Sequence, residues 1–255
     1  MQAEKASVRD YWDRAPCGTP DVAHLERIRR YAELERIRYE REPFIARFAR
    51  FEQARGVKLL EVGVGAGTDH LQFARAGAVC TGVDLSATSL ETARERLSAE
   101  GLTSHLQVAD AEALPFPADT FELVYSWGVI HHTPDTRAAA REILRVLRPG
   151  GRFCVMVYNR HSLLALQAWV WFAALRGHPA RSVSDVLAQH VESPGTKAYT
   201  AAEAGELFSG AREVKVDTVV TPYDLRVGRR RFLPSWLGHA VPNRVGWFHV
   251  VTGVK

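Results

Sequence analysis

The chain has 255 residues, 46% of them hydrophobic and 24% charged, with a formal net charge of +4. That is long enough for one domain with an appended cap and too apolar for a disordered chain. The mild positive charge permits an acidic partner but does not demand nucleic acid.

Three cysteines, Cys17, Cys80 and Cys154, lie far apart, with no C-x-x-C or Cys/His cluster. No metal and no disulfide framework is expected, and a reduced cytoplasmic location is. The N-terminus is charged and lacks the apolar core of a signal peptide. The longest apolar run, Leu163 to Leu175, is too short to span a bilayer.

In chain order, Val8 to Arg14 is a short segment carrying Tyr11 and Trp12, closed by Pro16 and the turn Cys17-Gly18-Thr19-Pro20. Asp21 can cap a helix from about Val22 to Arg41, and Pro43 restarts a second one to Ala54. Val57 to Val62 reads as a buried strand. The glycines Gly63, Gly65 and Gly67 follow, then a helix over Asp69 to Ala76. Strand, glycine turn and helix present backbone N–H groups to a ligand. A second strand, Ala78 to Val83, ends in Asp84, roughly 20 residues past the glycines, where a ribose-binding acid is expected.

Thr88-Ser89-Leu90-Glu91 has the form of a capping box for a helix to about Ala99, stopped by Gly101. His105 to Ala109 is a third strand, ending in Asp110. After the Leu114-Pro115-Phe116-Pro117 loop, Thr120 to Ser126 is a fourth. Thr133-Pro134-Asp135 opens a helix to Leu147, which Pro149-Gly150-Gly151 ends, and Arg152 to Tyr158 is a fifth strand. This alternation predicts a parallel sheet flanked by helices.

Beyond Tyr158 come an apolar helix, Leu163 to Arg176, a loop from Ser193, and a helix over Ala201 to Phe208 with Thr200 and Glu203 as a capping box. Glu213 to Val220 and Gly246 to Val254 read as the last strands. The connection 221–245 is long and apolar, with arginines at 229–231, and is read as a substrate wall or oligomer contact.

The spacing Gly63-x-Gly65-x-Gly67 is one residue shorter than a dinucleotide fingerprint, which disfavours a nicotinamide oxidoreductase. Preceded by Glu61, it resembles the first motif, E/D-x-G-x-G-x-G, of the class I S-adenosylmethionine (SAM)-dependent methyltransferases, of the type 11 kind. The resemblance implies a Rossmann-like α/β fold. Its sheet is seven-stranded and mostly parallel with a final antiparallel strand, and helices cover both faces. The expected organisation is an N-terminal helical lid over 1–55, a SAM-binding core over 56–160, a helical substrate cap over 161–210, and a closing β-hairpin over 211–255.

The resemblance also implies site residues. Glu61, Gly63, Gly65 and Gly67 serve the methionine end of SAM, Asp84 the ribose, and Asp110 and Ala111 the adenine; Leu85 is a further cofactor contact, and Ser126 lies near the methyl group. His132 sits where phosphoethanolamine methyltransferases place a catalytic histidine, with His131 as a weaker candidate base. Tyr11, Trp12, Tyr39, Trp127, Trp169 and Trp236 are the candidate acceptor contacts. The run Ser126-Trp127-Gly128-Val129 lacks the [D/N/S]-P-P-[Y/F/W] motif of enzymes that methylate bases of nucleic acid or glutamine amides. The expected activity is therefore methyl transfer to a small molecule with release of S-adenosylhomocysteine. A protein or RNA methyltransferase and a non-catalytic SAM-binding partner subunit are the alternatives.

Overall fold

The computed structural model describes residues 2–14, 26–227, 231–232, 238 and 240–255. Its central sheet has seven strands: β1 Lys58–Val62, β2 Val79–Asp84, β3 His105–Val108, β4 Phe121–Trp127, β5 Leu147–Tyr158, β6 Arg212–Val219 and β7 Phe248–Val254. They lie in the order β3-β2-β1-β4-β5-β7-β6. All neighbours from β3 to β5 run parallel, and β7 is antiparallel to both β5 and β6.

A parallel sheet needs cover on both faces, because crossover helices must pack on it. Period-two alternation divides the strand side chains accordingly. Leu59 joins Phe73, Tyr125 and Cys154 in one core. Its neighbour Leu60 joins Val124, Ile143 and Val155 in the other. Each such leucine, fully buried, contributes about 1.5–3 kcal/mol over exposure.

The helices are α1 Gln2–Arg14, α2 Arg27–Arg41, α3 Ile45–Ala49, α4 Thr68–Arg75, α5 Ala87–Ala99, α6 Thr136–Val146, α7 Leu163–Phe172, α8 Val183–His190 and α9 Ala201–Glu206. Several differ from expectation for local reasons. α1 is a full helix from Gln2, not a short segment from Val8. α3 stops at Ala49 because Arg50 turns left-handed at φ 53°. Thr88 is not the cap of α5. Ser86, in extended backbone, accepts the Ser89 N–H and begins the helix two residues earlier.

Pro149-Gly150-Gly151 is part of β5 rather than a terminator outside it. Gly150 adopts φ 75°, and the β4 pairing jumps from Phe121–Leu147 to Leu123–Arg152 across this bulge. The C-terminal residue holds it: Gly150 N–H donates to the Lys255 carbonyl at 3.0 Å, and Lys255 N–H donates to Gly151 at 2.9 Å. α7 ends at Phe172, followed by a 3-10 turn over Ala174–Arg176. α8 fills a stretch where no element was expected. The Thr200–Glu203 capping box on α9 forms as expected.

Within 221–245 the described part begins with a turn over Pro222–Leu225, capped by Thr221 and Asp224. A two-residue ladder then pairs Arg226–Val227 with Arg231–Phe232. Trp236 and the arginines at 229 and 230 lie outside the described residues, as does Cys17. Among the described helices none is long and apolar enough to cross a membrane.

Candidate active site

The sheet order reverses direction between β1 and β4. Such a switch point leaves a crevice beyond the strand carboxyl ends. A cavity of about 980 Å³ occupies it, lined at one end by the loop after β1 and the ends of β2 and β3.

The three glycines have distinct duties. Gly63 has φ 82°, and a Cβ there would stand 2.1 Å from Val129 Cγ2. Gly67 has φ 75° at the start of α4, and its Cβ would meet Ala93 Cβ at 2.8 Å. These two let the loop pack against its neighbours. Gly65, at φ 54°, faces open space, with nothing within 4 Å of a Cβ position. Gly63 and Gly65 line the cavity; Gly67 does not.

Asp84 ends β2 and binds the loop directly. Its Oδ2 accepts the Gly65 N–H at 2.8 Å and its Oδ1 accepts the Ser86 N–H at 2.8 Å. Burial pushes its carboxyl up, and these amides oppose the shift. Leu85, Asp110 and Ala111 line the same end of the cavity. Asp110 accepts from Lys5 Nζ at 2.5 Å and from the Glu112 N–H at 2.9 Å. Lys5 also pairs with Glu112, so α1 lies across this end of the site.

Glu61 reaches the cavity wall but is committed below it. Its Oε2 is 2.8 Å from His70 Nδ1, and His70 Nε2 is 2.8 Å from Ser104 Oγ. Burial raises the Glu61 carboxyl to about 7 against the pull of His70. It ties β1 to α4.

A polar network that sequence reasoning missed lies between α2 and the loop. Asp69 is buried and accepts from Arg38 at 2.8 Å, Tyr39 at 3.0 Å and Tyr125 at 2.8 Å. Arg38 also pairs with Glu42, which accepts the Trp127 indole N–H at 2.9 Å. Burial works against the Arg38 charge, but Asp69 and Glu42 hold its pKa well above the ordinary value. The acid following Gly67-Thr68 was the available signal for Asp69.

The other end of the cavity is aromatic. Trp12, Trp127, Tyr158, Trp171, Trp247 and Phe248 all line it. Of the expected acceptor contacts, Trp12 and Trp127 are therefore in place. Tyr11 stacks edge-on to Trp12 at 5.0 Å without lining the cavity. Tyr39 is engaged with Asp69 instead. Trp169 turns away and donates to the Arg181 carbonyl at 2.8 Å. Trp171 and Phe172 take its place at the wall. Ser126 is fully buried within β4 and does not reach the cavity.

His132 lines the cavity with its ring 5.5 Å from Trp12. Its Nδ1 lies 2.8 Å from Ser193 Oγ and 3.0 Å from Thr196 Oγ1. Its Nε2 faces Glu192 Oε2 at 3.2 Å. Neither nitrogen is turned to the cavity alone, so a simple general base is not what the geometry offers. Glu192, unforeseen from sequence, lines the cavity with its side chain 37% exposed. Burial raises its carboxyl, but His132 and the Tyr158 hydroxyl at 2.7 Å outweigh that and hold it below its ordinary value. His131 sits behind, fully buried, 3.9 Å from the Tyr158 ring centroid. Burial keeps its pKa well below the ordinary range. His131, His132 and Glu192 form a potential metal-ligand cluster, which residue spacing alone had not revealed.

Residues 60–155 match the methyltransferase domain family, and so span β1 to most of β5. The chain carries a class I SAM-dependent methyltransferase domain. The domain's cofactor is SAM.

The domain is 38% identical over 111 residues to the methyltransferase GfsG of Streptomyces halstedii. It is 31% identical over 129 residues to a ubiquinone biosynthesis O-methyltransferase of Chelativorans sp.. These alignments cover 42% and 49% of this chain, and 40% and 51% of the relatives' own lengths. The fold also matches the crystal structure of magnesium protoporphyrin IX methyltransferase from Synechocystis PCC 6803 with bound S-adenosylhomocysteine. That match has a TM-score of 0.61 over 98% of this chain and 99% of that one, at 12% identity. At that identity the likeness concerns the fold alone.

The residues of the methyltransferase domain fit its cofactor. Gly65 leaves open space beside the backbone. A carboxylate has about four lone-pair sites. Amides take sites on both oxygens of Asp84, and acceptor capacity remains there for hydroxyl donors such as a sugar diol.

Proposed function

We propose that the chain transfers a methyl group from SAM to a small molecule with an apolar or aromatic body, releasing S-adenosylhomocysteine. The observation that carries this reading is the single cavity joining the glycine loop and strand-end acids to an aromatic chamber. One drug-sized ligand fills about 300–1,000 Å³. The lid and cap therefore shape a pocket suited to compact ligands rather than an open groove for a macromolecule.

In this reading the Gly63–Gly65 backbone receives the methionine end, Asp84 and Leu85 the ribose, and Asp110 with Ala111 the adenine. Bound SAM supplies an electrophilic methyl. The chain's own work is to hold the acceptor in line with it and to exclude water. Trp12, Trp127 and Trp171 provide that apolar enclosure. Glu61 acts through loop order rather than ligand contact. His132 and Glu192 form the polar edge of the acceptor chamber, and His131 and Ser126 are set behind it. The free thiols of Cys80 and Cys154 support a reducing, cytoplasmic setting.

The test is methyl-labelled SAM incubated with the protein and a fractionated extract of the cells that make it. Label in the small-molecule or lipid fraction, identified by mass spectrometry, supports the reading. Label in protein or RNA replaces it with a macromolecular acceptor. Tight SAM binding with no label in any fraction favours a non-catalytic, partner-stabilising role.

A further inference from the structure

We propose that His131, His132 and Glu192 form a binding site for one divalent transition-metal ion on the acceptor wall of the cavity. One ligand atom from each residue lies within 4.8 Å of the others. Two imidazoles and a carboxylate are a donor set for zinc or a first-row metal such as manganese.

The hydrogen bonds around His132 lead there. Thr196 Oγ1 donates to the Ser193 carbonyl at 2.6 Å, so its hydrogen is committed. Its oxygen, 3.0 Å from His132 Nδ1, can only accept from the ring, while Ser193 Oγ at 2.8 Å can take either role, so the Nδ1–H tautomer is compatible with both neighbours. In a neutral imidazole the proton on Nδ1 leaves Nε2 with a lone pair. That nitrogen is buried without a hydrogen-bond partner among the described residues, yet it stands 3.2 Å from Glu192 Oε2. In that tautomer two acceptors face each other, an arrangement that a cation between them satisfies.

A proton would serve that pair, but it would leave His131 unexplained. Both its ring nitrogens are buried and make no strict hydrogen bond among the described residues. The Met156 carbonyl favours one of its N–H groups, which leaves the other nitrogen as a donor to metal. A bound ion would draw these donor atoms in to ligand distances of about 2.0–2.2 Å. The outer contacts also suit a metal centre. Ser193 and Thr196 orient His132, and Tyr158 donates to Glu192.

His132 and Glu192 line the cavity while His131 lies behind them, so the open positions of the ion face the acceptor. A bound ion would take an oxygen or nitrogen of the acceptor and make its proton easier to lose. That consequence rests on the methyl-transfer reading; ion binding does not.

The test uses the untagged full chain, stripped with a chelator, dialysed, and titrated by calorimetry with zinc chloride and separately with manganese chloride. SAM affinity is measured in parallel. One ion per chain is expected. Glu192→Gln is expected to weaken binding at least about tenfold, and Thr196→Val, which removes the Nδ1 acceptor, by about 10–100-fold. His131→Asn completes the series, and Glu192→Gln is decisive because it alters a cavity-facing side chain. No binding of either ion overturns the site, as does binding that Glu192→Gln and Thr196→Val leave unchanged. Failure of the wild-type chain to bind SAM strikes at the methyl-transfer reading instead.

Discussion

The backbone N–H of Gly65 donates to Oδ2 of Asp84 across 2.8 Å, joining the glycine loop to the acid at the end of β2. The second oxygen of Asp84 accepts from Ser86, the cap of α5. One carboxylate thus sets the loop and the helix start before it meets any ligand. Asp84→Ala is expected to weaken SAM by roughly 2–4 kcal/mol, since hydrogen bonds to charged groups contribute about 1.5–3 kcal/mol each and partial compensation follows. Asp84→Asn should be no milder. Its amide group must face one of the two backbone N–H donors. Calorimetry with SAM checks both, and wild-type affinity in Asp84→Ala would remove the ribose assignment.

The glycines separate stability from binding. Gly67→Ala drives a Cβ to 2.8 Å from Ala93 Cβ and 3.0 Å from its Cα, and should destabilise the chain by about 1–3 kcal/mol. Gly65→Ala meets no protein atom, so its stability cost is the left-handed backbone alone, about 1–2 kcal/mol. Its methyl group intrudes on the open space beside the loop, and SAM affinity should fall more than tenfold. Urea denaturation and SAM titration of the two variants check the contrast. A Gly65→Ala protein that binds SAM normally would place the cofactor elsewhere.

What was legible in the sequence follows from how local each feature is. β1, β2 and β4 were placed within a residue or two because buried parallel strands are short apolar runs. The positions of the glycine loop, Asp84 and Asp110 at strand ends were legible because each sits within one strand-turn unit. The cap of α5 falls on Ser86 rather than Thr88 because the backbone at Ser86 is extended, a conformation that the sequence does not display. Ser182 caps α8 by accepting the Asp185 N–H, and the helix spans only eight residues, too few for a clear helical period. The Pro149 bulge depends on pairing with Lys255, more than a hundred residues away. Glu192 comes to His132 from sixty positions further on, on a left-handed residue at φ 54°. No periodicity or motif announces such a contact.

α1 lies across the end of the cavity lined by Asp110. Lys5 holds Asp110 and Glu112, and the Ser86 hydroxyl donates to Asp13 Oδ1 at 2.5 Å. Both oxygens of Asp110 are engaged, by Lys5 and by the Glu112 N–H. An adenine amine bound at Asp110, as proposed above, must share or displace the lysine. Lys5→Ala is therefore expected to speed SAM association several-fold, read by stopped-flow intrinsic tryptophan fluorescence. Because Lys5 is partly exposed, its ion pairs should contribute no more than about 1 kcal/mol to stability. An unchanged association rate would mean that α1 opens without regard to Lys5.

His249 gives the antiparallel part of the sheet an acid-sensitive point. It lies on β7 between β5 and β6, paired with Val157 and Thr218. Its Nδ1 is 2.9 Å from Thr218 Oγ1. Burial pushes its pKa down to about 4, against an opposing backbone contact at Tyr199. An unfolded histidine titrates near 6.5. The folded value is depressed, so the neutral ring's stabilising contribution is complete above about pH 6.5. It is lost as pH falls towards 4, because the unfolded chain takes up the proton first. The difference corresponds to about 3 kcal/mol. His249→Gln cannot titrate, so its loss of stability between pH 7 and pH 4.5 should be smaller than that of the wild type by about 2–3 kcal/mol. His131, also depressed by burial, contributes equally to both proteins and cancels in the comparison. Urea unfolding at the two pH values provides the measurement. Parallel losses in the two proteins would mean that the folded chain accommodates a charged ring at this position.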